Sequence, residues 1–340
     1  MIGYNTYEHV FSGKAGDLCL GRGLAMIISA SRRTDIPAFY STWLMNRIRE
    51  GFVHVRNPFN YRRVSQISLS PQVVDCIVFW TKNPEPMLRL LPELAERGYA
   101  YYYQFTLTPY GSDVEPGVPE KSRLVEVFQG LSELIGKERV IWRYDPIILS
   151  DSMSIQYHGA KFQELAERLS GYTTQCVISF LDLYSKTRRN TKHLSLSDIS
   201  PVDMEAIGQV MGKIAQDKGI RLVTCAEEVD LAPFGIEQGC CIDGQLIQSL
   251  LGTPLQVAKD KNQRPSCGCM ASIDIGTYNT CLHRCTYCYA NSGQTLVDKL
   301  AADHDPNLSM ISGQLTDGDE VRQRKLVSLR SLQEDLFEKI

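Results

Sequence analysis

The sequence predicts an α/β fold, a partial or complete (β/α) barrel of parallel strands carrying a cysteine-rich cluster segment near its C-terminus. Three observations predict it. Short apolar runs rich in β-branched and aromatic residues alternate with helical patterns along almost the whole chain. These runs show little polar alternation, as expected of parallel strands covered on both faces. Six or seven strand–helix units follow one another, enough for most or all of a barrel, and in that fold chemistry gathers where the strands end.

The first run is Met26–Ala30, followed by Ser31-Arg32-Arg33-Thr34-Asp35 and a helix over residues 38–50. Residues 53–69 read as an edge hairpin. The second run, 75–80, leads through Thr81-Lys82-Asn83-Pro84 into a helix with leucines at 88, 91 and 94. The third covers 101–107 and precedes a long loop and the helix Lys121–Ile135. The fourth, 139–143, ends at Tyr144-Asp145-Pro146. A helix over 160–169 precedes the fifth, 176–181, and a helix over 202–218 precedes the sixth, Arg221–Cys225. Residues 272–276 form the seventh. A charged helix over 319–339 is expected to cover the body. Residues 1–25 lack periodicity and read as a loose arm. Residues 26–340 read as a single domain, with a cluster-bearing segment at 265–292 and a covering segment at 293–340.

Composition narrows the function. A net charge of −3 gives no global basic field for bulk nucleic-acid binding. No apolar run approaches the roughly 18 residues of a transmembrane helix. The N-terminus carries Glu8, Lys14, Asp17 and Arg22 without an apolar core, so it does not read as a signal peptide. Eleven cysteines, several clustered, fit a reducing compartment where thiols serve metals. A cytoplasmic enzyme with no membrane partner is the expectation.

The most informative stretch is Cys281-Leu-His-Arg-Cys285-Thr-Tyr287-Cys288. Three thiols at C-x3-C-x2-C spacing on one loop can all face one metal centre. Three is one short of a closed zinc site or an ordinary iron–sulfur cluster. A 4Fe-4S cluster with one open iron can bind and reduce S-adenosylmethionine, generating a 5′-deoxyadenosyl radical. The competing reading is a structural zinc knuckle completed by His283 or a distant cysteine. Cys225, Cys241, Cys267 and Cys269 supply four further thiols, enough for zinc or a second 4Fe-4S cluster. Cys76 and Cys176 lie inside apolar strands and read as core.

Polar residues follow each strand: Arg32, Arg33, Thr34 and Asp35; Lys82 and Asn83; Thr106 and Thr108; Arg143 and Asp145; Asp182; Glu227 and Glu228. Lys82 can neutralise a ligand carboxylate, and Thr106 or Thr108 can bond a ribose or carboxylate. Arg32 and Asp35 join this cofactor-facing set, although Asp35, two residues before Pro37, can equally cap the next helix. Glu227, Asp145 and Arg143 are the candidates for steering a substrate radical.

The cysteine spacing, with the aromatic Tyr287 before the last cysteine, resembles the signature of the radical S-adenosylmethionine superfamily. Thr81-Lys82-Asn83-Pro84, Phe105-Thr-Leu-Thr108, Glu115-Pro116, Pro119 and Tyr144-Asp145-Pro-Ile-Ile148 are similar to the barrel of spore photoproduct lyase-like enzymes. That resemblance implies that Lys82 contacts S-adenosylmethionine and that a flavodoxin- or ferredoxin-type protein donates the electron. The order departs from that group, whose cluster loop comes first in the chain. Here it comes last, which implies a circular permutation. From about Met26 onward the chain also resembles the DUF1848 family, through Ser29-Ala-Ser-Arg-Arg-Thr-Asp35, Phe79-Trp-Thr-Lys-Asn-Pro84, Val140-Ile-Trp-Arg-Tyr-Asp-Pro146 and the C-terminal cysteines. That family implies no substrate.

Arginines 32, 33, 47, 49, 56, 62 and 63, with Phe59, Tyr61, Trp80 and Tyr101 to Tyr103, crowd the first third of the chain. Such a mixture can hold phosphates and stack bases. A nucleic acid or nucleotide is therefore one expected substrate. The alternative function is a nucleic-acid-binding protein whose metal is structural and which performs no radical catalysis.

Overall fold

The computed structural model describes residues 26–182, 185–255 and 259–324. The expected arm and the end of the expected covering helix lie outside these residues. In chain order, β1 (Met26–Ala30) is followed by α1 (Ile36–Phe39), α2 (Ser41–Glu50), β2 (Phe52–Arg56) and β3 (Arg63–Ser68). Then come β4 (Val74–Thr81), α3 (Glu85–Leu88), α4 (Leu91–Glu96), β5 (Tyr101–Thr106) and α5 (Lys121–Ile135). The middle comprises β6 (Val140–Ile147), α6 (Ile155–Leu169), β7 (Gln175–Phe180), α7 (Ser185–Asn190), α8 (Pro201–Asp217) and β8 (Arg221–Cys225). The last third adds β9 (Glu237–Gly239), α9 (Gly244–Leu251), β10 (Ile273–Asp274), α10 (Gln294–Ala302) and β11 (Glu320–Gln323).

Eight strands form one parallel sheet in the order β10-β1-β4-β5-β6-β7-β8-β9. Among the described residues β9 and β10 are not paired, so the sheet is open at that seam and the barrel is partial. The last strand of the sheet in sequence, β10, pairs with the first, β1, through Ile28 opposite Ile273 and Ser29 opposite Asp274. All seven expected strands are present, though the seventh shrinks to two residues.

Two expectations need correction. Residues 53–69 form a hairpin, but not at the edge of the main sheet: β2 and β3 build a separate sheet with β11. The expected helix from residue 319 begins instead as strand β11. Its residues Glu320–Gln323 run parallel to Arg63–Gln66 of β3, where the ladder satisfies their backbone groups.

Strands β1 and β4 to β8 of the main sheet have two buried faces, and their residues alternate between two cores. Ile28, Ile77, Phe79, Tyr101, Tyr103, Phe105, Trp142, Cys176 and Leu222 pack outward against the helices, together with Trp43, Leu131 and Phe162. Trp142 stacks on Phe162 of α6 with ring centroids 4.8 Å apart. Ile27, Cys76, Val78, Tyr102, Ile141, Val177 and Val223 face inward. On that concave side they meet Cys241, Ile242, Ile247, Leu255, Cys267, Cys269 and Met270, so α9 and its flanks fill the base of the open barrel.

The same alternation builds the site. Two residues beyond each inward apolar residue the chain turns polar while keeping the same facing: Val78, Trp80, Lys82; Tyr102, Gln104, Thr106; Ile141, Arg143, Asp145; Val177, Ser179; Val223, Cys225, Glu227. Apolar packing secures the base, and the polar ends of the rows reach the rim.

Candidate active site

A cavity of about 460 Å³ opens at the C-terminal ends of the strands, within the roughly 300–1,000 Å³ usual for ligand sites. Both cysteine groups named from sequence line it: Cys281, Cys285 and Cys288 in one set, Cys225, Cys241, Cys267 and Cys269 in the other. Arg32, Asp35, Lys82, Thr106, Arg143, Asp145, Glu227 and Tyr287 line it too. Thr108 does not. It is fully buried, and its hydroxyl donates to Glu115 at 2.8 Å, so its role is to hold that carboxylate.

The loop that carries the first cysteine set is bound to the sheet by polar contacts. Asp274 accepts from Ser29 Oγ (3.0 Å), Ser31 Oγ (2.8 Å), and the backbone amides of Arg32 (2.8 Å) and Gly276 (2.9 Å). These bonds replace much of the ladder that a two-residue strand cannot make. Any Cβ at Gly276 would stand 2.0 Å from Ser31 Oγ, so only glycine allows this approach. Further on, Tyr40 Oη donates to Thr280 O at 2.6 Å, and the Gly117 amide donates to His283 O at 2.9 Å. A Cβ on Gly117 would lie 2.4 Å from Leu282 O, which makes Gly117 a cradle for the cysteine loop.

His283 is buried, and both its ring nitrogens are engaged. Nε2 stands 2.7 Å from Asp35 Oδ2 and Nδ1 stands 3.2 Å from Gly117 O. Asp35 also accepts from the amides of Ala38 at 3.0 Å and Lys82 at 2.7 Å. It therefore caps α1 and joins β1, β4 and the cysteine loop in one carboxylate.

Glu115 is the hub of the opposite side. It is buried and accepts from Lys82 Nζ (2.7 Å), Lys121 Nζ (2.5 Å), Thr108 Oγ1 and Tyr287 Oη. Burial works against its charge, but Lys82 and Lys121 overcome this and hold its pKa at about 2. For Lys82 burial opposes the cation, yet Glu115 and the neighbouring Cys285 outweigh it and raise its pKa. Lys82 therefore reaches the cavity already paired, with the Tyr287 ring 5.7 Å away. Burial pushes the Cys285 thiol up to about 12, with Lys82 pulling the other way.

Arg143 and Asp145, two residues apart on β6, form an ion pair, and Ser179 Oγ donates to the same carboxylate. Burial disfavours the Asp145 charge, but Arg143 and Ser179 outweigh it and lower its pKa. Arg143 also donates to Cys241 Sγ at 2.8 Å and to Gln104 Oε1 at 3.2 Å. Glu227 accepts from the Phe180 amide at 3.0 Å. Burial, reinforced by Asp182 and Asp145, raises its pKa to about 7. The guanidinium groups of Arg32 and Arg143 each lie 5.1 Å from the Trp80 ring centre. Arg32 Nη2, Thr34 Oγ1 and Trp80 Nε1 are buried with no hydrogen-bond partner among the described residues.

Residues 27–290 match the family described as "Domain of unknown function (DUF1848)", well over half of the chain. The chain belongs to the DUF1848 family. No curated protein matches it. Two solved structures to which this DUF1848 chain is similar are a putative alpha-L-fucosidase from Bacteroides thetaiotaomicron and the pneumococcal virulence factor StrH, the latter described with N-glycan recognition and hydrolysis. The first shares 10% identity over 54% of this chain and 86% of the other, with a TM-score of 0.27. The second shares 10% identity over 73% and 70%, also with a TM-score of 0.27. Likenesses this distant carry no argument about activity.

The basic and aromatic residues in the first third of the DUF1848 chain do not assemble into one groove. Arg47 is buried and bound to Glu50 and Asn307 O, Arg49 pairs with Glu93, and Arg56 pairs with Asp319. Tyr101, Tyr102 and Tyr103 are buried. Only Arg32, Arg33 and Trp80 of the set reach the cavity. Among the described residues no helix is long and apolar enough to cross a membrane. Nor do any three His, Cys, Asp or Glu side chains among them converge on a position fit for a single metal ion.

Proposed function

We propose that this protein is a radical S-adenosylmethionine enzyme, with Cys281, Cys285 and Cys288 as the ligands of a 4Fe-4S cluster. One observation carries the reading: the three thiols lie on one loop in the cavity wall, and His283 of the same loop has both ring nitrogens committed to Asp35 and Gly117. That arrangement disfavours a knuckle closed by His283 and suits a centre with an open position. When bound, the cluster supplies the electron that cleaves S-adenosylmethionine to the 5′-deoxyadenosyl radical.

The chain's own residues then have definable tasks. Arg32 Nη2, Thr34 Oγ1 and Trp80 Nε1 are unpartnered donors at the cavity, suited to the carboxylate, hydroxyls or adenine edge of S-adenosylmethionine. Thr106 adds a hydroxyl at the rim. Lys82, held by Glu115, places positive charge beside Cys285 and offsets thiolate charge there. Asp145, fixed by Arg143 and Ser179, and Glu227 are the acid–base candidates facing a substrate. The apolar base of the barrel keeps water from below. The position of β10 beside β1 supports a circularly permuted barrel, and the reading carries with it a flavodoxin- or ferredoxin-type electron donor and a cytoplasmic setting.

The test is anaerobic reconstitution with iron and sulfide, followed by dithionite and S-adenosylmethionine, with 5′-deoxyadenosine scored by mass. The nucleoside is expected from the wild type and not from Cys285→Ala. A wild type that assembles its cluster yet forms no 5′-deoxyadenosine would overturn the reading.

A further inference from the structure

We propose that Cys225, Cys241, Cys267 and Cys269 ligate a second iron–sulfur cluster, independent of the 281–288 loop and facing the same cavity. The four thiols come from three separate places: the end of β8, the turn after β9, and the loop before β10. Two of them touch: Cys225 Sγ and Cys241 Sγ are 2.9 Å apart. Cys269 Sγ stands 3.2 Å from the Cys241 amide nitrogen, and all four cysteines line the cavity.

Nitrogen donors surround two of the four sulfurs. Cys269 Sγ accepts from the amides of Cys241 at 3.2 Å and Ile242 at 3.5 Å, and Arg143 donates to Cys241 Sγ at 2.8 Å. Arg32 adds a second nearby positive charge. Cys76 and Cys176 provide the contrast. They are equally buried in this chain, and the bonds they make are weak thiol contacts to the next residue's carbonyl at 3.8 and 3.9 Å. Those two behave as small hydrophobes, whereas Cys241 and Cys269 also accept from nitrogen donors.

Cys241 is also held in place through its backbone. Its carbonyl accepts from Tyr102 Oη at 2.7 Å and Gln104 Nε2 at 2.9 Å, two buried side chains on the inner face of β5 that also bond the Asp243 amide and Arg143. An all-sulfur donor set favours zinc or an iron–sulfur cluster over harder metals. Loading the cluster replaces the Cys225–Cys241 thiol contact with metal–sulfur bonds and releases the thiol protons to solvent.

The test counts metal and sulfide in the full-length chain after anaerobic reconstitution, alongside its visible spectrum. The wild type is expected to hold about eight irons, and a Cys281→Ala/Cys285→Ala/Cys288→Ala variant about four with acid-labile sulfide. Cys267→Ser/Cys269→Ser is expected to lose the other four, and because it can also impair folding, the triple alanine variant decides. No iron in that variant, or zinc in place of iron and sulfide, overturns the proposal. The two proposals fail separately. If the wild type holds about four irons that vanish only with Cys267→Ser/Cys269→Ser, this centre stands without the radical one; if they vanish only with the triple variant, the reverse holds.

Discussion

Replacing Glu115 by Gln tests whether its carboxylate binds two cations to the cysteine loop. The side chain is buried and accepts from Lys82, Lys121, Thr108 and Tyr287. Gln keeps the shape and removes the charge, leaving two lysines 13% and 23% exposed without their counter-ion. Breaking a buried pair this way costs about 3–5 kcal/mol. An independent route agrees. The pKa falls from an ordinary 4.5 to about 2, which corresponds to about 3 kcal/mol of linked stability. The sign follows from the lowered value: this stability is fully present above pH 4.5 and is lost as pH falls toward about 2. Thermal unfolding of the metal-free chain at pH 7 should show the variant melting roughly 4–7 °C lower. Urea unfolding from pH 6 to pH 2 should show the wild type converging on the variant. A loss below about 1 kcal/mol at pH 7, with parallel pH profiles, would refute the reasoning, because the lysines would then be indifferent to the carboxylate.

Gly117→Ala places a Cβ 2.4 Å from Leu282 O and 2.9 Å from His283 O; it should cost about 1–3 kcal/mol by displacing the loop and lower the iron retained after reconstitution, measured per chain. His158→Gln should flatten the acid limb of stability. His158 is buried between Tyr144 Oη and Ile148 O, and burial lowers its pKa, so the wild type loses stability as pH falls below 6.5 and the variant should lose less in urea titrations at pH 7.5 and 5.5. At the tip of the β2–β3 hairpin Phe59 and Tyr61 are 98% and 77% exposed; changing both to Ser should leave stability within about 0.5 kcal/mol, whereas weaker retention of single-stranded nucleic acid by the variant would revive the binding-protein reading.

The main sheet was legible because its signal is local. Six of its strands are apolar runs bounded by turn or helix signals, and both cores reward the same residues, so periodicity and burial point one way. The expected seventh strand is there but keeps only two ladder residues, and Asp274 holds it through Ser29, Ser31 and the Arg32 amide some 240 positions away. The miss at the C-terminus has a physical reason. Strand β11 reads as a charged helix because all four of its residues are exposed and only the backbone of β3 makes it a strand. That partner cannot be read from the segment itself.

At the site, legibility followed the strand period. Lys82, Thr106, Arg143, Asp145, Cys225 and Glu227 sit at positions whose facing is fixed by inward apolar residues two or four places earlier, so choosing the polar residue after each strand chose the cavity lining. Thr108 breaks the rule because β5 ends at Thr106 and the chain turns before reaching it. Glu115 was visible only as part of a Glu-Pro resemblance, since its four donors come from β4, α5, the loop after β5 and the cysteine loop. Gly117 and His283 were likewise silent: one is a glycine in a long loop, the other a histidine that sequence offers as a metal ligand. The structure gives them a common purpose. Glu115 and Gly117 hold the loop from one side through Tyr287 and His283, and Asp35 and Asp274 hold it from the other. A loop fastened at both flanks by buried charge and close backbone contact holds its three cysteines at the cavity wall, the preorganisation that the proposed cluster would need.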